Sequence, residues 1–92
     1  IKSLYKNFFK YKKNKIFEIE SEKFNNLTEN LKFLVIRSFY YENRFLFKKQ
    51  IRDENIRNLI RILNSSIQNG KKRSIFSGKI GVLNKKIYIN LT

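Results

Sequence analysis

The sequence predicts a mainly α, small α+β fold: two or three helices followed by an extended loop and a short strand or hairpin, stabilised by RNA and neighbouring proteins. Three observations carry that expectation. Residues 26–47 and 53–63 place apolar side chains at helical spacing behind capping residues. All three glycines, Gly70, Gly78 and Gly81, fall within residues 64–83, where they interrupt any helix. The net charge is +14 over 92 residues, with 21 Lys and Arg against 7 Asp and Glu, so the chain repels itself unless a polyanion neutralises it.

Composition removes several function classes. The length suits one domain with a modest core rather than a large enclosed active site. Cysteine and histidine are both absent, and with them disulfides, thiolate or imidazole metal sites and the usual general bases. No enzyme activity, catalytic residue, metal, cofactor or small-molecule substrate is therefore expected. No apolar run approaches the length of about eighteen residues that a membrane span needs. Lys, Asn, Ile, Phe and Tyr are abundant and have A/T-rich codons, which points to an A/T-biased genome such as that of an organelle.

Residues 1–25 read as a basic N-terminal arm and an acidic linker, with the domain proper in residues 26–92. Ile1, Leu4, Tyr5, Phe8 and Phe9 have the spacing of a helix face, with Lys2, Lys6, Lys10 and Lys13 off that stripe. Glu18, Glu20 and Glu22 then alternate with apolar or small residues, as in a short edge strand or extended linker. Three acids here supply too few oxygens for a calcium loop, so they read as a solvated face.

Asn26 suits the cap of the longer helix, with Glu29 three residues on. Leu27, Leu31, Leu34, Val35 and Phe39 form one stripe and Phe33, Ile36 and Tyr40 a second, which implies burial on two sides and contact with another subunit. Asp53 caps the second helix, whose stripe is Ile56, Leu59, Ile60 and Leu63. Arg57 and Arg61 lie four apart on its exposed side, with Arg52 nearby, and no acid follows Glu54. That ridge has no local counterion and reads as a phosphate contact.

Asn64 suits a left-handed helix end, and Ser65 and Ser66 can turn the chain. Gly70 introduces the cations Lys71, Lys72 and Arg73; Ile75 and Phe76 make an apolar anchor; Gly78 and Gly81 flank a tight turn carrying Lys79. Residues 82–91 read as a short strand with Ile87 and Ile89 on one side and Tyr88 on the other.

Residues 64–79 resemble the signature of the bacterial and organellar small-subunit ribosomal protein S-fourteen family. Its pattern is N-S-S, six or seven residues, then R-C-x-x-T-G-R; here Asn64, Ser65 and Ser66 stand for the first part, and Arg73, Ser74, Ile75, Phe76, Ser77, Gly78 and Lys79 for the second. The stretch IRDENIRNLIRIL is similar to the family's second basic helix. Ser74 stands where the family has cysteine, which implies the zinc-free form, and Lys79 loses the bidentate fork of an arginine. Gly81 falls one residue earlier than the family's second glycine, and the family's basic C-terminal segment has no counterpart in this sequence.

The resemblance implies a structural constituent of the mitochondrial small ribosomal subunit, in the matrix and organelle-encoded. It would bind small-subunit ribosomal RNA in the head, beside neighbouring head proteins, and support assembly and translation. The RNA-binding set is then Arg52, Arg57, Arg61, Ser65, Ser66, Lys71, Lys72, Arg73, Ser77, Gly78, Lys79, Lys85 and Lys86. The alternative is a small basic DNA-binding protein of an A/T-rich phage or plasmid, with the two helices as a helix-turn-helix and Arg57 and Arg61 in a groove. A third reading, a membrane-active basic module, rests only on the amphipathic N-terminal stretch.

Overall fold

A computed structural model describes residues 4–47, 50–65, 69–75 and 78–91. After a single 3-10 turn, Leu4–Asn7, come β1 (Phe9–Lys13), β2 (Ile16–Ile19), α1 (Ser21–Asn25) and α2 (Glu29–Glu42). A second 3-10 turn, Arg44–Leu46, leads to α3 (Asp53–Asn64), β3 (Lys72–Ile75), β4 (Gly78–Leu83) and β5 (Lys86–Asn90). The five strands form one antiparallel sheet in the order β1-β2-β5-β4-β3. This corrects the expected fold class: the protein is a small α+β domain built on a sheet, not a mainly α chain ending in an extended loop and a short hairpin.

The extra strands have a local cause. Asn14 and Lys15 take φ of 50° and 63°, and Asn84 and Lys85 take 52° and 65°. Positive φ at both central residues is the two-residue hairpin turn whose twist matches that of its strands, and asparagine is among the residues that adopt it. The first Asn-Lys pair folds residues 9–19 into a hairpin, so the expected N-terminal helix shrinks to the 3-10 turn. β2 is not an edge strand: it pairs with β1 on one side and β5 on the other, which ties residues 9–19 into the same sheet as the C-terminal strands. The second pair makes residues 78–90 a hairpin, so Gly78 and Gly81 lie within a strand rather than around a tight turn.

Helix boundaries shift for similar local reasons. Thr28, not Asn26, caps α2; its Oγ1 accepts the Leu31 N–H at 3.3 Å. Asn43 closes the helix by donating from Nδ2 to the Phe39 carbonyl at 2.9 Å. Arg52 occupies the cap position of α3, its N–H bonded to Asn55 Oδ1 at 2.9 Å, so Asp53 is the first helical residue. There its charge suits the positive end of the helix dipole. Asn64 stays helical rather than left-handed, and Ser65 after it is extended with φ −90°. Instead the Asn64 Oδ1 accepts from the buried Lys32 ammonium at 2.9 Å, which pins the end of α3 to α2.

One apolar core joins the helices to one face of the sheet. Phe9, Phe17, Ile19, Ile80 and Ile89 bury against Val35, Ile36 and Phe39 of α2 and Ile56, Leu59, Ile60 and Leu63 of α3. Phe39 is central, with ring centroids 4.5 Å from Phe9, 4.8 Å from Phe17 and 5.7 Å from Tyr5. The α2 stripe is buried on one side only, since Leu31, Leu34 and Tyr41 remain exposed. With the helices on one side, the other face of the sheet is left open by the described residues.

Candidate nucleic-acid interface

Strand register dictates what the open face presents. Side chains alternate between faces along a strand, and paired residues share a face. With Phe9, Phe17, Ile80 and Ile89 turned to the core, the pairings place a transverse row outward: Lys10, Glu18, Tyr88, Gly81 and Lys72. A second outward row runs Lys13, Ile16, Asn90, Lys79 and Ser74. Lys12 reaches this face by ordinary alternation from Lys10, and its ammonium meets Glu18 at 3.4 Å; the irregularity between Tyr11 and Lys13 is what brings Lys13 onto it as well.

Most of these two rows, without Lys10, Glu18 and Ser74, line a cleft of about 810 Å³. Its walls carry Lys12 and Lys13 on the β1 side and Lys71, Lys72 and Lys79 on the β3–β4 side, with Gly78, Gly81, Ile16, Asn90 and the half-buried Tyr88 between them. Gly81 matters for shape: a Cβ there would press on the Lys71 carbonyl oxygen at 3.1 Å and on the Lys72 side chain at 3.2 Å. Its absence lets the Lys72 stem lie close over β4.

Charge divides the face in two. On the β1–β2 side, Lys10 pairs with Glu20 at 3.0 Å, and Glu18 holds Lys12 at 3.4 Å and Lys86 at 4.0 Å. The hydrogen bond and charge of Glu20 raise the Lys10 ammonium above its ordinary value. Lys10 in turn lowers the Glu20 carboxyl, first through that hydrogen bond and then through its charge. Among the described residues, no carboxylate lies within 4.0 Å of Lys13, Lys71, Lys72 or Lys79. Uncompensated cations thus surround the cleft, while the acids neutralise one another's neighbours beside it.

The structure gathers only part of the sequence-predicted set here. Lys71, Lys72, Gly78 and Lys79 line the cleft. Lys86 lies on the same face but is drawn to Glu18, and Lys85 sits in the β4–β5 turn with its N–H 3.5 Å from Asn69 Oδ1. Arg73 pairs with Ile80 and therefore faces the helix layer, where its Nη1 donates to Ser65 Oγ at 3.3 Å. Ser65 Oγ also donates to the Ile62 carbonyl at 2.7 Å. Arg52, Arg57 and Arg61 belong to α3 and its cap, in the helix layer: Arg57 lies 5.1 Å above the Phe33 ring, and Arg61 bonds Asn58 at 3.3 Å. Ser66, Ser77 and the Phe76 anchor lie outside the described residues.

Lys12, Lys13 and Tyr88 line the cleft although the sequence did not single them out as a group. Their signal was the Asn-Lys dipeptide in each hairpin, which folds β1 beside β2 and turns Tyr88 outward. Among the described residues no helix is long and apolar enough to cross a membrane. Nor do three or more His, Cys, Asp or Glu among the described residues come together as metal ligands would. Compared with known proteins, the chain matches no family model, no curated protein and no solved structure.

Proposed function

We propose that this protein is an RNA-binding domain that holds its partner on the open face of the sheet. One observation carries the reading: Lys13, Lys71, Lys72 and Lys79 surround a concave surface and have no carboxylate partner among the described residues. Cations without local counterions are what phosphates displace salt from, and that displacement supplies most of the affinity for a nucleic-acid backbone. The net charge of +14 draws the polyanion in.

The ribosomal setting stays a narrower proposal that rests on the resemblance of residues 64–79. In the structure this stretch becomes the end of α3, β3 and the start of β4 rather than an extended loop, so the fold lends that setting no support. The helix-turn-helix alternative meets an electrostatic objection. Such a helix offers its N-terminal residues to a groove, and α3 begins with Asp53 and Glu54 beside phosphates they would repel.

The test compares two double substitutions that remove equal charge from different layers. Lys72→Gln with Lys79→Gln weakens binding to a 12-nucleotide RNA at least about tenfold, and lowers the slope of log affinity against log salt by about 1.4. Arg57→Gln with Arg61→Gln changes both far less. The opposite ranking would move the interface to the helix layer.

A further inference from the structure

Resting on that reading, we propose that Tyr88 is a stacking platform for a base of a single-stranded RNA segment. Tyr88 stands in the middle of an outward row, one strand from Gly81 and two from Lys72. Gly81 puts no side chain of its own beside the ring on the β4 side; the Lys72 stem lies over it instead, 3.2 Å from where a Cβ would stand, which brings that cation's chain toward the ring. On its other flank the ring neighbours Glu18, which would repel a phosphate if it were unpaired. Lys12 and Lys86 hold that carboxylate, whose residue is only 8% exposed.

Phosphates have places on both sides of the ring. Lys72 lies in the same row, about 10 Å across the sheet at the usual strand spacing. Lys79 lies in the next row along the strands, about 7 Å on and one strand over. A base laid on Tyr88 therefore has an uncompensated cation within reach in two directions. Tyr88 is a half-buried lining residue of the cleft, and a duplex keeps its base faces stacked inside the helix. Only an unpaired base can present its face to Tyr88.

Fluorescence anisotropy with labelled (rU)12 and a 12-base-pair RNA duplex tests this on the whole chain, with thermal unfolding of each variant measured alongside. Wild-type protein binds the single strand more tightly than the duplex. Tyr88→Leu lowers single-strand affinity about tenfold at an unchanged salt slope, and Tyr88→Phe retains it, because stacking uses the ring and not the hydroxyl. As a readout independent of substitutions, 5-iodouridine photocrosslinking of wild-type protein places an adduct on Tyr88. If Tyr88→Leu folds and binds as wild type, or crosslinks avoid Tyr88, stacking is overturned. Loss of binding in the Lys72→Gln, Lys79→Gln protein would then leave the basic cleft standing. Wild-type binding in both the Tyr88→Leu and the lysine variants overturns stacking and cleft together.

Discussion

Gly78 and Glu20 show how single positions hold the open face in shape. A Cβ added at Gly78 would collide with the Asn90 carbonyl group, and the atoms it meets there and at Leu91 are all backbone, which cannot swing aside as a side chain would. Gly78→Ala should therefore destabilise the fold by about 1–3 kcal/mol, read from urea unfolding, by prising the start of β4 from β5. Glu20 has its carboxyl lowered by Lys10, so their pair stabilises the fold above the ordinary carboxylate range and fades as pH falls through the lowered value. The Lys10 ammonium is raised, so the same contribution is complete below its ordinary value and is lost as pH rises through the raised one. In an NMR titration the Glu20 carboxyl should inflect below the ordinary glutamate value and move back up toward it in Lys10→Ala. The glycines were visible in the sequence as punctuation. What they accommodate depends on β3 and β5, which are distant in sequence or separated by a turn, so their reason was not.

The two hairpins decide the architecture, and both depend on an Asn-Lys turn. Lys15 and Lys85 sit at positive φ, a region that costs a side-chain-bearing residue about 1–2 kcal/mol. Lys15→Gly should raise the urea midpoint, and Asn14→Val should lower it, since a β-branched residue fits that region poorly. In the helices, Leu59 and Phe39 are fully buried, and truncation to alanine should cost about 2–5 and 3–5 kcal/mol respectively. The α3 stripe was legible because Ile56, Leu59, Ile60 and Leu63 repeat cleanly at helical spacing. The β1 strand was not: Leu4, Tyr5, Phe8 and Phe9 match a helical period across a 3-10 turn and a strand start. Only Asn14-Lys15 marked the reversal, and that is a weaker sign than Asn-Gly. Once β1 is paired, Lys12 and Lys13 come to the site without any motif of their own.

For the molecule as a whole, the sheet separates cations by layer. The sequence places Lys71, Lys72, Arg73 and Lys79 together, and a charge cluster in sequence invites the reading of one patch. Period two sends Arg73 toward α3 and leaves Lys72 and Lys79 outside, where Lys13 and Tyr88 meet them. The most direct measurement is an NMR titration of backbone amides with (rU)12 on the folded chain. Shifts should concentrate at Lys12, Lys13, Ile16, Lys72, Lys79, Gly81 and Tyr88, with Arg57, Arg61 and Leu31 nearly unmoved. Shifts gathered along α3 with a silent sheet would contradict the assignment of the open face as the RNA-binding surface.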